Sequence, residues 1–207
     1  MKFRIRKQDV EALCRQVPEF ETVVRQTKLT SFECVRDLFA ALVRSIVAQQ
    51  LSVKAADAIT VRLEKLLGGF EAEKLLEAET ADLRACGLSA PKIGYLRGIA
   101  EAKCSGRINF RALARRPDEE ILAELVKLKG VGIWTAEMLL IFALGRPDVL
   151  SFRDLGIRRG IMLLEQKETL SAEEFEAFRR RCSPYGTLAS LYLWRIKDGG
   201  LSIPSRS

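Results

Sequence analysis

The chain has 207 residues and not one histidine. That absence removes Ser-His-Asp and Cys-His catalysis and every metal site that needs an imidazole. Any catalysis falls to carboxylates, lysine, tyrosine, serine or cysteine. Cysteine is sparse: Cys14, Cys34, Cys86, Cys104 and Cys182 are odd in number, scattered, and form no CxxC pair. Neither a disulfide framework nor a zinc site follows, and reduced, mostly buried thiols are expected. No apolar run reaches the length of a membrane span. The opening Met1-Lys2-Phe3-Arg4-Ile5-Arg6-Lys7-Gln8-Asp9 has no apolar stretch like that of a signal peptide. The expectation is an intracellular protein with no membrane partner: cytoplasm or nucleoid if bacterial or archaeal, nucleus if eukaryotic. Low-complexity segments, long linkers and alternating runs long enough to argue for a strand are all missing.

What is present is charge and helical periodicity. Lys and Arg number 34 against 27 Asp and Glu, a formal net charge of +7. That excess favours a polyanionic partner. The length suits one large domain or two small interlocked ones. Phe32, Val35, Phe39, Leu42 and Ile46 recur three or four residues apart, predicting one apolar helix face. Ser52 caps a second predicted helix carrying Val53, Ala56, Ile59, Leu63 and Leu66, which Gly68-Gly69 stops. Further helices are predicted over about 72–77, 80–86, 91–104, 118–128, 133–144, 154–164, 171–181 and 185–197. The fold class is therefore all-α, with short, polar or glycine-bearing turns.

Two stretches depart from plain helix packing. Gly87-Leu88-Ser89-Ala90-Pro91-Lys92 reads as a helix stop and restart, and Leu128-Lys129-Gly130-Val131-Gly132-Ile133-Trp134-Thr135-Ala136 as a tight hairpin between helices. Backbone N–H groups at the start of the second helix lack intrahelical partners, and with the helix dipole they can hold a phosphate. Lys127 and Lys129 add positive charge beside them. An ordinary αα turn that happens to use glycine explains the same pair.

The longer context carries more. Leu128-Lys129-Gly130-Val131-Gly132 resembles the hairpin of the helix-hairpin-helix DNA glycosylases. About twenty residues on stands a Gly/Pro loop ending in aspartate, Gly145-Arg146-Pro147-Asp148-Val149-Leu150-Ser151-Phe152-Arg153-Asp154. Ile46-Val47-Ala48-Gln49-Gln50-Leu51-Ser52-Val53-Lys54-Ala55-Ala56, Asp154-Leu155-Gly156-Ile157-Arg158-Arg159-Gly160 and Ser183-Pro184-Tyr185 before a helix with Trp194-Arg195 resemble the 3-methyladenine DNA glycosylase II branch. The segments match in order across about residues 32–195. Longer members of that branch carry an extra N-terminal β-rich domain, and this chain looks like a minimal form without it.

The resemblance implies two helical subdomains with a DNA-binding cleft between them. One is a central bundle, 43–159, with the helix-hairpin-helix motif at about 121–144; the other is built from both termini, 1–42 plus 160–207. It implies Asp154, at a helix start, as the catalytic carboxylate; a bland helix-capping acid is the alternative, and Asp148 has a similar claim to a loop role. Trp134, Tyr185 and Met138 match base-pocket positions; core packing is the alternative for the two aromatics. Gln50 matches the residue that fills the gap left by an extruded base. Lys129, Gly130, Gly132 and Thr135 match DNA-gripping positions. Backbone carbonyls of Val126, Leu128 and Val131 match positions that hold a structural Na⁺ or K⁺ in relatives. No iron–sulfur cluster is expected, because Cys182 stands alone where some members have four close cysteines.

The implied protein is a monomer acting on damaged double-stranded DNA. It is a monofunctional glycosylase that excises alkylated purines of the 3-methyladenine and 7-methylguanine type in base excision repair. Trp134 stands where lyase relatives carry a lysine, and an indole forms no Schiff base. Two rivals remain: a non-catalytic helix-hairpin-helix DNA-binding protein, and a bifunctional glycosylase/lyase for oxidised bases.

Overall fold

The computed structural model describes residues 2–35 and 37–197. In chain order these form β1 (Lys2–Phe3), α1 (Lys7–Gln16), α2 (Phe20–Gln26), β2 (Phe32–Glu33), α3 (Leu38–Ala48), α4 (Val53–Leu67), α5 (Ala72–Glu77), α6 (Thr80–Ala85) and α7 (Ala90–Cys104). They continue as α8 (Phe110–Leu113), α9 (Asp118–Leu125), α10 (Ile133–Phe142), α11 (Leu155–Glu165), α12 (Ala172–Cys182) and α13 (Gly186–Lys197). The all-α expectation holds, apart from one two-residue antiparallel pairing of β1 with β2, Lys2 opposite Glu33 and Phe3 opposite Phe32.

The chain divides into two compact units. One takes in the described residues up to Cys34 and from Gly145 on; the other spans Val35–Leu144. Both junctions differ from the expected 42/43 and 159/160. α3 is one continuous helix packed on α4 and α7, so its first turn cannot be parted from the rest. α11 lies along α13, which draws the 145–159 segment into the terminal unit. Asp154 therefore belongs with the termini and not with the hairpin bundle. Residues 198–207 of the expected terminal half lie outside the described residues.

The terminal unit is organised around an apolar core of Leu13, Phe20, Val23, Ile157, Ile161, Phe178 and Leu193. Each full burial of a side chain of this size contributes roughly 1.5–3 kcal/mol. Phe20 lies tilted against Phe178 and Tyr192, with ring centroids 6.2 and 6.1 Å apart. α12 is fixed at its start by a reciprocal capping box between Ser171 and Glu174.

In the central unit, Phe39, Leu42 and Ile46 on α3 are fully buried as their spacing demands. The predicted face begins too early, however. Asp37 is the N-cap, accepting from the N–H groups of Phe39 (2.9 Å) and Ala40 (3.3 Å), so the helix starts only at Leu38. Phe32 lies in β2 and stacks on Phe3 at 5.1 Å, and the Val35 N–H donates to the Phe142 carbonyl at 3.2 Å. Ser52 caps α4, and Gly68 ends it in the left-handed region, as read from the sequence.

Candidate active site and nucleic-acid interface

The hairpin joins α9 to α10. Gly130 has φ +88°, and a Cβ there would lie 2.5 Å from the Tyr95 ring on α7. Only glycine satisfies both the backbone and that close approach. Gly132 is different: its φ of −87° is open to any residue, and a Cβ would meet nothing within 4 Å. No internal constraint requires a glycine at 132. What its missing side chain provides is clear space in front of α10. Gly132 is also the N-cap of α10 and makes no side-chain cap bond, so this position puts no capping side chain between the helix start and an external acceptor.

The residues around this helix start sort by exposure. Trp134 is 44% exposed, which excludes the core-packing role, and Met138 is half-buried one turn later. Thr135 has its side chain buried, so what it can offer a ligand is its backbone N–H. Lys129 is exposed. Lys127 is tied to Glu124 at 2.6 Å, and this hydrogen-bonded ammonium holds the Glu124 carboxyl below its ordinary value. Its charge is thus partly committed inside the protein, unlike the phosphate-facing role its position suggested.

The loop after α3 is bound to the same hairpin. Gln50 is exposed and has φ +58°, a left-handed conformation uncommon for a non-glycine residue. Its neighbour Gln49 donates from Nε2 to the Gly130 carbonyl at 2.9 Å. The Lys92 ammonium on α7 donates to the carbonyls of Val47 (2.8 Å) and Gln49 (2.7 Å). Those two bonds satisfy carbonyls at the open end of α3, and burial pushes the Lys92 ammonium below its ordinary value. Gln49, Lys92 and Tyr95 thus fix Gln50 and the hairpin as one assembly. None of the three was singled out from sequence. Their partners lie 43 to 81 residues away for the hydrogen bonds, and no local spacing signals them.

At the hairpin's other end, Val126 closes α9 and Leu128 follows it. Carbonyls just past a helix C-terminus lack the i+4 donor of a continuing helix. The Leu128 carbonyl accepts from Val131 N–H at 3.1 Å and has a second lone pair. Hard oxygen donors of this kind suit a monovalent cation, and the set of Val126, Leu128 and Val131 carbonyls is compatible with one.

The second candidate region lies in the terminal unit. Asp154 is the N-cap of α11 and is 8% exposed. Its Oδ1 accepts from the Ile157 N–H at 2.8 Å and from the Trp194 indole Nε1–H at 3.1 Å. The capping role is thus filled, and it does not exclude a chemical role on the same residue. Asp148 is used otherwise: its carboxylate accepts from the Ser183 hydroxyl (2.6 Å) and the Gly186 N–H (2.9 Å), joining its loop to the start of α13. Tyr185, half-buried just before α13, lines a cavity of about 340 Å³ with Phe3, Arg4, Arg6, Gly145 and Pro147. Asp154 is not part of that cavity's wall.

Comparison with known proteins identifies the family. Residues 43–184 match the HhH-GPD superfamily of base excision DNA repair proteins. The chain is 38% identical over 165 residues to DNA-3-methyladenine glycosylase 1 of Schizosaccharomyces pombe, covering 77% of this chain and 72% of that protein. Among solved structures, a DNA-3-methyladenine glycosidase from Bacillus halodurans superposes with a TM-score of 0.81 at 34% identity, covering 95% of this chain and 92% of that one. The Schizosaccharomyces pombe 3-methyladenine DNA glycosylase Mag1, in complex with abasic DNA, gives 0.80 at 31% identity over 97% of this chain and all (100%) of that one. By a family match spanning most of its length, the chain belongs to the HhH-GPD superfamily of base excision DNA repair proteins.

Proposed function

We infer that this protein is a DNA glycosylase that releases alkylated purines by hydrolysing the N-glycosidic bond, the first step of base excision repair. The observation that carries the reading is Asp154: a buried carboxylate, held by two donors at the start of α11, in a chain whose relatives are 3-methyladenine glycosylases. An N3- or N7-alkylated purine is already cationic. When the C1′–N bond breaks, the base takes the bonding pair and leaves neutral, while the sugar develops oxocarbenium character. A fixed carboxylate stabilises that positive charge in a water-poor setting. Water then adds to C1′ and loses a proton, with Asp154 or solvent accepting it. No strong general acid is needed for such a leaving group, which suits a chain without histidine.

The other roles follow from exposure and chemistry. Trp134 offers an exposed π face, and a cationic base is attracted to it; Met138 borders it, and Tyr185 is the second aromatic proposed to meet the base. A target base must leave the duplex before excision, and the exposed Gln50 is the residue that occupies the gap. The N–H groups at the start of α10, including Thr135, with Lys129, Gly130 and Gly132, grip a backbone phosphate. A Na⁺ or K⁺ on the carbonyls of Val126, Leu128 and Val131 would add positive charge beside that phosphate. The reaction is monofunctional, because position 134 carries an indole and no amine. Among the described residues no helix is long and apolar enough to cross a membrane; a DNA substrate supports an intracellular reading.

The test is product analysis on alkylated duplex DNA. Free 3-methyladenine or 7-methylguanine should appear by chromatography, the strand should stay intact until alkali or heat, and borohydride should trap no enzyme–DNA adduct. Trapping at a lysine would overturn the monofunctional reading. Release of 8-oxoguanine without alkylpurines would overturn the substrate.

A further inference from the structure

The positive charge of this chain is not gathered at the hairpin. Residues 103–116 carry Lys103, Arg107, Arg111, Arg115 and Arg116 and no acidic residue, whereas the hairpin has Lys129 and a Lys127 already committed to Glu124. The stretch runs from the last turn of α7 to just before α9, and it borders a cavity of about 840 Å³ lined by Lys103, Asn109, Arg111 and Arg115 together with Phe39 and Phe110. We propose that this cavity is a second phosphate-binding site, separate from the hairpin, which takes the clustered phosphates of a nucleotide or of a nucleic-acid strand end. The proposal goes beyond the glycosylase reading and does not depend on it.

The place is distinct from the DNA-facing assembly. Every residue lining the cavity belongs to the Val35–Leu144 unit. α3 and α7 both run between the cavity and the hairpin: Leu38 and Lys103 stand at the cavity end, the Gln49 loop and Lys92 at the other. At about 1.5 Å per residue, Lys103 lies roughly 16 Å further along α7 than Lys92. One phosphate group cannot span that distance, so an anion held at the start of α10 does not occupy the cavity.

The wall suits a multiply charged anion. The Lys103 ammonium lies 4.2 Å from the centroid of the Phe39 ring, which holds it in place without neutralising it. Phe39 meets Phe110 edge-on at 5.6 Å, and the Ile108 N–H donates to the Ala102 carbonyl at 2.8 Å, so the connection from α7 to α8 is anchored at the cavity. Asn109 Oδ1 accepts from the Ala112 N–H at 3.0 Å, which leaves the side-chain NH2 as a donor. Lys103, Arg107, Arg111 and Arg115 form no salt bridge among the described residues. Two carboxylates stand nearby. Asp37 lines the cavity but spends Oδ1 on the first N–H groups of α3, and Glu73 is within electrostatic range of Lys103. The lining residues therefore carry three cations against one carboxylate, a net charge of +2. A lone carboxylate ligand would leave part of that charge uncompensated; clustered phosphates would not. An arginine fork pairs bidentately with phosphate, and lysine adds a point charge. Small-molecule pockets span roughly 300–1,000 Å³, whereas the phosphates of an intact duplex lie on a convex cylinder and cannot enter one concavity together.

The test titrates inorganic tripolyphosphate, ATP and a 5′-phosphorylated trinucleotide into the full chain at about 0.15 M salt, by calorimetry and by amide NMR. Saturable binding is expected, with shifted amides at 103–115 and none at 129–135. Tighter binding of ATP than of the trinucleotide identifies the ligand as a free nucleotide, and the reverse order as a strand end; equal affinity shows that the phosphates alone are read. Arg111 and Arg115 are exposed, so the double variant Arg111→Gln, Arg115→Gln should melt like wild type. It should bind the probes at least about tenfold more weakly. Its affinity for alkylated duplex and its excision rate should stay within about twofold of wild type. Gly132→Ala, which alters the hairpin, should leave probe binding unchanged. The proposal is overturned if no probe binds saturably, if the double variant binds as well as wild type, or if duplex with unphosphorylated ends displaces the probe. Should the double variant fail to fold, the wild-type amide shifts decide: shifts at 129–135 place the anion on the hairpin and refute a separate site.

Discussion

Two helix N-termini in this molecule are treated in opposite ways. At α11 the N-cap is Asp154, whose side chain turns back onto the Ile157 N–H and is held there by Trp194. At α10 the N-cap is Gly132, which makes no side-chain bond to the helix and has open space before it. The first arrangement fills the helix start with an internal negative charge; the second keeps it available for one from outside. Under the proposed function, the contrast separates two tasks. A catalytic carboxylate must be immobile and partly shielded, whereas a phosphate grip must be unobstructed. The same backbone device serves both, and the residue at the N-cap decides which.

The sharpest way to break the comparison is at Gly130, where internal fit is at stake. Gly130→Val forces a β-branched residue to φ +88° and drives it into the Tyr95 ring. We expect a loss of about 3 kcal/mol or more of stability together with loss of DNA binding. Chemical denaturation would register it, and a variant as stable as wild type would show that the close approach is not required.

The terminal unit has its own signature in alkali. Burial pushes the Cys182 thiol up to about 12, from an ordinary value of 9.0. Above pH 9 the unfolded chain loses this proton and the folded chain keeps it, so stability falls as pH rises toward 12. The slope from this one group is about 1.4 kcal/mol per pH unit. Burial raises the Tyr192 phenol to about 12 as well and adds a second, later contribution in the same direction. Denaturation measured between pH 8 and 11 should steepen as described in wild type and be visibly flatter in Cys182→Ala. Identical slopes would contradict the buried, protonated thiol.

Lys92 probes the assembly behind the hairpin. Lys92→Met keeps the aliphatic stem and leaves the carbonyls of Val47 and Gln49 without their donor, at a cost of about 2 kcal/mol. DNA affinity should fall as well, since Gln50 loses its support. Unchanged affinity in a destabilised variant would separate the loop's architecture from its contact with DNA.

The helical framework was legible because its signals are local. The apolar spacing on α3 and α4, the Ser52 cap, the Gly68 stop and the hairpin glycines are each read within a few residues. The start of α3 was misplaced because Phe32 and Val35 continue the helical spacing by coincidence. Their actual partners, Phe3 and the Phe142 carbonyl, are remote in sequence. The subdomain junctions were misplaced for a similar reason: which helices pack together is a tertiary fact. For the candidate site, Asp154, Trp134 and the hairpin came from motif resemblance, and the exposure of Trp134 and burial of Asp154 suit those roles. The contacts of Gln49, Lys92 and Tyr95 came only from the structure, as did the bond from Trp194 to Asp154, although Trp194 itself stood in a motif. A lysine that caps a distant helix and a tryptophan that donates to a distant carboxylate look, in sequence, like any surface lysine and any core aromatic.

The smallest expected effect sharpens the contrast most. Gly132→Ala meets no internal obstacle, so stability should change by less than about 0.5 kcal/mol. Its methyl group nevertheless intrudes where a phosphate would sit, and binding to damaged and undamaged duplex alike should weaken by about tenfold, or ~1.4 kcal/mol. Fluorescence anisotropy alongside thermal melts distinguishes this from Gly130→Val, in which both properties fall.

The central claim is that Asp154 performs the chemistry. Asp154→Asn retains the helix cap, since asparagine accepts the Ile157 N–H as well, and removes the charge. Single-turnover release of alkylated purine and equilibrium binding to the same duplex should be measured on one preparation each of wild type and variant. The account predicts that release falls at least about a hundredfold, in line with losing a preorganised electrostatic contact, while binding and melting temperature stay close to wild type. Release at near the wild-type rate by the Asn variant would contradict it.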